Sequence, residues 1–406
     1  MGCSSTNNKD DAGNNKARYE HSGITSAVEN GCVIEGEGEG VVGHNNTNNG
    51  NNNNNGNNNG NVYNNNINTN NNNNNSNNAR SNSKKVIINK LSPSLVLTNI
   101  HNKDVFFFTQ LHSKQYILGF RDGTLALTLI TPQTKSHIHP QLYPNSHSQG
   151  ISYICDLHPL PNTFATCSLD SNIKIWCISP DNTTITNTHT IEHAHDGMVN
   201  KLIQSHTHDK LLSCSSQDPY VNVWSAKTYE HIISITSPAT IWNVILLQKD
   251  KNVFISSCYE KENICIWNIN TYEHIADINN IACYCLEGML ELPNGNVACI
   301  CDNESIIIIN ISTHQIIKTI TTSVNKESNN AYITGYGSLC LFDKYSFIYC
   351  CKGNFLQIAN DAEYETIYQC KLDENEFDGD ASLLTVENGL YIVSENGSYG
   401  LTFLSY

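Results

Sequence analysis

HSQGISYI (147–154) followed by SLDSNIKIW (168–176), then HDGMVNKL (195–202) followed by SSQDPYVNVW (215–224), is one pattern written twice. In each copy the step from His to Trp is 29 residues, from His147 to Trp176 and from His195 to Trp224. An Asp stands six residues before each Trp, at Asp170 and Asp218, and a Ser two residues before each Asp, at Ser168 and Ser216. Register kept this closely marks a repeated supersecondary unit, one that buries its apolar face only by stacking on its neighbours.

The unit is built of strands. IKIW (173–176) and VNVW (221–224) alternate apolar and polar residues, the period of a half-buried strand. TFATCS (163–168) and KLLSCS (210–215) are short β-rich runs, each closed by a turn containing Asp. A His, then Ser-x-Asp, then a Trp six beyond the Asp, at a period in the forties, resembles the WD40 repeat. The resemblance implies a hydrogen-bonded tetrad inside each blade: His147, Ser168, Asp170 and Trp176 in one copy, and His195, Ser216, Asp218 and Trp224 in the other. Polar groups buried in a sheet need partners, and a complete network supplies them. The chain departs from the family in that no Trp is followed by Asp: the pairs are Trp176-Cys177, Trp224-Ser225 and Trp267-Asn268.

Working outward, an Asp six before the end of a strand serves as a ruler. It places units at Asp122/Thr128, Asp170/Trp176 and Asp218/Trp224, with the Asp residues 48 apart. Further units end at Trp267, near Ile309, near Ile358 and near Phe403, and TYEHI occurs twice, at 228–232 and 271–275. Seven units predict an all-β fold, a seven-bladed WD40-type β-propeller over 84–406. The last unit ends on a third strand. VIIN (86–89) or SLVLTN (94–99) is therefore expected to supply the missing fourth strand and remove exposed edges.

Ahead of the propeller the sequence reads differently. Residues 1–20 begin MGCSST, where Gly2, with Thr6 four residues on, fits the myristoylation pattern and Cys3 lies where a palmitoyl chain is often added. This start resembles that of dually acylated signalling proteins. One myristoyl chain binds membranes only marginally, so a second anchor is needed, and the nearby Lys9, Lys16 and Arg18 are offset by Asp10, Asp11 and Glu20. The expectation is a chain held at the cytoplasmic face of a membrane by Gly2 and Cys3, or cytoplasmic if unacylated. Residues 21–83 read as a linker, because 44–78 are almost all Asn and hold too little apolar surface to offset the entropy of ordering.

Composition narrows the function. The net charge is −15, and since 1–90 hold seven basic and seven acidic residues, the whole excess lies in 91–406, where Arg121 is the single arginine. Such a surface is a poor match for phosphate backbones, so no nucleic-acid partner is expected. The 16 cysteines lack any C-x-x-C pair and many sit among Ile and Val, which predicts reduced, packed thiols. Three His-x-His pairs, His137/His139, His193/His195 and His206/His208, invite a metal reading, but the last two should lie on opposite faces of the disc, and no metal site is assigned. DENEFDGD (373–380) has calcium-loop features, yet puts Thr385 where a bidentate Glu is required. GFRDGT (119–124) carries one Arg where phosphoinositide-binding propellers carry two. No nucleophile elbow, P-loop or dinucleotide fingerprint occurs, so neither a catalytic residue nor a cofactor is expected.

Binding of proteins remains the expected function, as a membrane-tethered scaffold, with a substrate-recruiting subunit of an enzyme assembly such as a ubiquitin ligase as the alternative. In the WD40 family, residues flanking the first core position of each inner strand face partners. Those core positions are Val105, Ile151, Val199, Ile241, Cys283, Ile333 and Ala381, and the flanking residues with hot-spot character are Phe106, Met198, Trp242, Tyr284 and Tyr332. Trp242 alone among the four Trp is unexplained by the repeat.

Overall fold

Alternating short apolar runs and tight turns leave this chain one way to bury its surface, as small antiparallel sheets packed face to face. The computed structural model describes residues 92–97, 105–128, 140–283, 288–301, 305–321, 339–351, 355–371, 381–386, 389–394 and 401–405. All belong to one unit of the chain. The acylation segment and the Asn-rich tract lie outside these residues, as does the acidic run at 373–380.

The described strands form seven four-stranded antiparallel sheets. Blade 1 starts with Val105–Gln110, blade 2 with Ile151–Asp156, blade 3 with Val199–Ser205, and blade 4 with Asn243–Leu246. Blades 5, 6 and 7 start with Met289–Glu291, Leu339–Asp343 and Ala381–Val386. These first strands meet their neighbours in chain order, and Ala381–Val386 meets Val105–Gln110, so they ring a central axis. Blade 7 takes its fourth strand from the start of the domain: Ser92–Leu97 pairs antiparallel with Leu401–Ser405, Leu95 opposite Phe403. The closing strand overlaps the second of the two candidates, 94–99, but begins two residues earlier, at Ser92.

Burial follows from position in the blade. Second strands such as Thr163–Ser168 and Val253–Cys258 are buried along their full length. Fourth strands face water, and His231–Thr236 buries only Ile235. The core lies between blades. Blades 2 and 3 share Cys167, Ile175, Val199 and Trp224, and blades 4 and 5 share Ile255, Ile266, Cys299 and Ile309. Ten cysteines among the described residues are free thiols, and burial pushes Cys155 and Cys214 up to about 12, as packed thiols require.

Strand direction sorts the loops onto two faces. One face carries the turns between second and third strands and the loops that enter each first strand; the other carries the turns from first to second and third to fourth strands. On this second face side chains stitch neighbouring blades. Asp156 of blade 2 accepts the backbone N–H of His112 in blade 1 at 2.8 Å, and Gln204 of blade 3 accepts that of His158 in blade 2 at 2.8 Å. Glu291 of blade 5 accepts the N–H groups of Gln248 and, at 3.0 Å, Lys249.

Candidate functional site

The first face is organised by two buried networks. In blade 2, Trp176 Nε1–H donates to Thr166 Oγ1 at 2.8 Å, Thr166 stands 2.7 Å from His147 Nε2, and His147 Nδ1 lies 3.0 Å from Asp170. Donor capacity fixes the protons. Indole can only donate and the Asp170 carboxylate can only accept, so the imidazole proton is on Nδ1 and points at Asp170, and Nε2 accepts the O–H of Thr166, whose oxygen accepts from the indole. Asp170 also accepts the N–H groups of Ser148 at 2.9 Å and Asn172 at 3.1 Å, tying the loop entering blade 2 to the turn between its second and third strands. Blade 3 repeats the chain through Trp224, Ser213, His195 and Asp218, with distances of 2.9, 2.8 and 2.9 Å.

The hydroxyl in these chains corrects the sequence expectation. It belongs to Thr166 and Ser213, not to Ser168 and Ser216. On the second strand Thr166 and Ser213 each stand two residues beyond the one paired with the Trp, Phe164 and Leu211, within reach of the indole N–H. Ser168 sits at the strand end, where its hydroxyl donates to the Gly150 carbonyl at 2.8 Å, and Ser216 lies in the turn and donates to Asn200 at 3.2 Å. In blade 4 only half the chain remains: Trp267 donates to Ser256 at 2.9 Å. In blade 6 the register puts Ala359 opposite Phe347, as Trp267 stands opposite Phe254, and buried Tyr349 takes the place of the hydroxyl. That position is one residue beyond Ile358, where the ruler put it.

Burial works against charge at Asp170, but the hydrogen bonds from His147 and the N–H groups of Ser148 and Asn172 outweigh it and hold the carboxyl well below the usual range. Burial also holds His147 below its ordinary pKa, against the pull of Asp170. Asp218 is lowered in the same way, against its burial, by His195 and the N–H groups of Asp196 and Tyr220.

With this geometry in hand the chain can be set beside known proteins. Residues 140–177 match the sequence profile of the family described as "WD domain, G-beta repeat". The structure of this chain is similar to a solved structure titled "Crystal structure of WD40 beta propeller domain of Doa1", with a TM-score of 0.60 and 14% identity, covering 78% of this chain and 97% of that one. The fold is a WD40 β-propeller. No curated protein matches the chain.

Around these networks lies the part of the propeller face where partner residues were expected. Ile241 is fully buried, as a first core position should be; Cys283 is buried too, but lies six residues ahead of Met289–Glu291, the first strand of blade 5, and so does not open it. Trp242, beside Ile241, is only partly buried, and so is Met198, beside Val199. Asn200 joins the two blades by donating to the carbonyls of Ile241 at 3.5 Å and Trp242 at 3.4 Å. Phe106 departs from expectation: it is 7% exposed, because the Arg121 guanidinium lies 4.8 Å above its ring, so Arg121 is what blade 1 presents there. Tyr284 and Tyr332 lie outside the described residues.

Proposed function

We propose that this chain is a protein-interaction scaffold whose contact surface is the first face of the propeller over blades 3 and 4, with Trp242 as its anchor. The observation that carries this reading is the partial exposure of Trp242 beside partly exposed Met198, on loops held rigid by the Asn200 bridge. Interface hot spots favour Trp in settings already organised before binding. Trp242→Ala should remove partners recovered by the wild type in quantitative affinity purification, with little change in thermal midpoint. If every partner is kept, or the variant unfolds readily, Trp242 is core and the reading fails.

The scaffold is tethered, in this proposal, by acyl chains on Gly2 and Cys3, with 21–83 as the linker and 84–406 as the domain. The sequence MGCSST supports the tether, together with the two-anchor requirement. Fractionation of cells should find Gly2→Ala in the soluble fraction and Cys3→Ser weakly and reversibly bound. Undiminished membrane binding of Gly2→Ala rules the tether out.

A further inference from the structure

The second face holds a cluster that the scaffold reading does not use. Val105, Ile151 and Val199 open the first strands of blades 1, 2 and 3, and seven residues after each comes a histidine: His112, His158 and His206. Equivalent placement in adjacent blades brings the three rings together. His112 and His158 have centroids 4.1 Å apart, and His158 and His206 5.0 Å, the second pair edge to face. Asp156 lies among them, its carboxylate 2.8 Å from His112 Nδ1 and 3.3 Å from His158 Nε2.

We propose that His112, Asp156 and His158 form a binding site for a divalent transition-metal ion of the Zn2+ class, with His206 at its open side. One ligand atom from each of the three residues lies within 4.8 Å of the others. Tetrahedral zinc with bonds of about 2.0–2.1 Å sets ligand atoms about 3.3 Å apart, which the 3.3 Å between His158 Nε2 and Asp156 meets and the 2.8 Å between His112 Nδ1 and Asp156 approaches. Two imidazoles and a carboxylate, with a fourth position left open, are a donor set that zinc accepts. Binding needs the His112 proton on Nε2, which frees the Nδ1 lone pair now facing Asp156.

Supporting bonds fix the ligands before any ion arrives. The Gln204 side chain grips the His158 backbone at both ends, accepting its N–H at 2.8 Å and donating to its carbonyl at 2.7 Å. The backbone N–H of His112 holds Asp156 at 2.8 Å. Such outer contacts orient metal ligands. An ion here would link the turns of blades 1 and 2, with blade 3 adjoining. A second trio among the described residues, Cys265, His274 and Asp277 on blade 4, provides an internal control.

The test is isothermal titration of the purified full-length protein with ZnCl2 at neutral pH, with thermal midpoints read with and without zinc. The wild type should bind, and zinc should raise its midpoint, since a ligand of the native state stabilises it. Loss of an outer contact alone weakens metal sites about 10–100-fold, so His112→Ala and His158→Ala should each weaken binding at least about 10-fold and abolish the midpoint shift. Asp156→Asn, which keeps an acceptor for the His112 N–H, should weaken it too, and His274→Ala should not. If an Ala variant fails to fold, the Gln variant at the same position takes its place. Absence of binding overturns the proposal, as does zinc affinity unchanged in both His112 and His158 variants, or lost only in His274→Ala.

Discussion

Ser213 and Ser216 differ by three positions and in what depends on them. Ser213 is fully buried and is the sole hydroxyl between Trp224 Nε1 and His195 Nε2. Ser213→Ala orphans both groups, at about 1–3 kcal/mol for each, the cost of an unsatisfied buried polar atom. Ser216 is partly buried and makes a 3.2 Å bond to Asn200. Its replacement by Ala should cost about 1 kcal/mol or less. Denaturant midpoints of the two variants check the assignment; equal losses would return the network to Ser216. Position along the strand explains why the repeat's spacing pointed to the wrong hydroxyl: Thr166 and Ser168 share a face, but only Thr166 lies within reach of Trp176. Ser-x-Asp is a feature of the strand end and turn that recurs by sequence, whereas the bonded hydroxyl is set by its place two residues beyond the one paired with the Trp, Phe164 in blade 2 and Leu211 in blade 3.

Among the elements, the turns from third to fourth strands show how a repeat acquires a packing role. Tyr229, Tyr272 and Tyr364 adopt φ of 61°, 62° and 60°, a left-handed conformation that bulky residues seldom take. Each turn is closed by equivalent bonds, such as Ser225 N to the Glu230 carbonyl and Asn268 N to the Glu273 carbonyl. The left-handed turn carries the ring back toward the preceding blade. Tyr229 meets His189 of blade 2 at 5.2 Å, Lys210 of blade 3 lies 4.4 Å over Tyr272, and Tyr364 accepts from Asn294 of blade 5 at 2.9 Å. The duplicated TYEHI is thus an inter-blade contact written into sequence. The following His231 and His274 pack edge-on against Trp224 and Trp267, each at 5.1 Å. Gly123 serves a different turn: its φ is +82°, and a Cβ there would meet the His147 carbonyl oxygen at 2.2 Å, so the turn of blade 1 and the loop holding His147 need glycine to fit.

For the whole molecule, stability rests on closing the ring. Since the core is shared between blades, each blade buries its inner faces only while both neighbours are present. The strand Ser92–Leu97 is the device that binds the two ends of the domain. Deleting 84–99 should lower the thermal midpoint and the soluble yield by exposing the edge of Leu401–Ser405, whereas deleting 4–80 should leave the midpoint unchanged. Calorimetry and sedimentation of the two truncations check this, and equal midpoints would refute closure by this strand.

Period and alternation were legible in the sequence because they are local. Strand spacing, the third strands that carry Thr128, Trp176, Trp224 and Trp267, and the buried Val199 and Ile241 all follow from a chain that repeats its own register, although the strands run one or two residues past each Trp. Tertiary structure decided what depends on proximity across blades. Which of two candidate strands closes blade 7 is set by pairing with residues some three hundred positions away. Phe106 is buried because Arg121, on the turn of the same blade, folds over it. The histidines were read as pairs two apart, since alternate residues share a face of a strand. The grouping found is His112, His158 and His206, each seven residues past an inner-strand core position, and only stacking of adjacent blades makes that long-range spacing a contact.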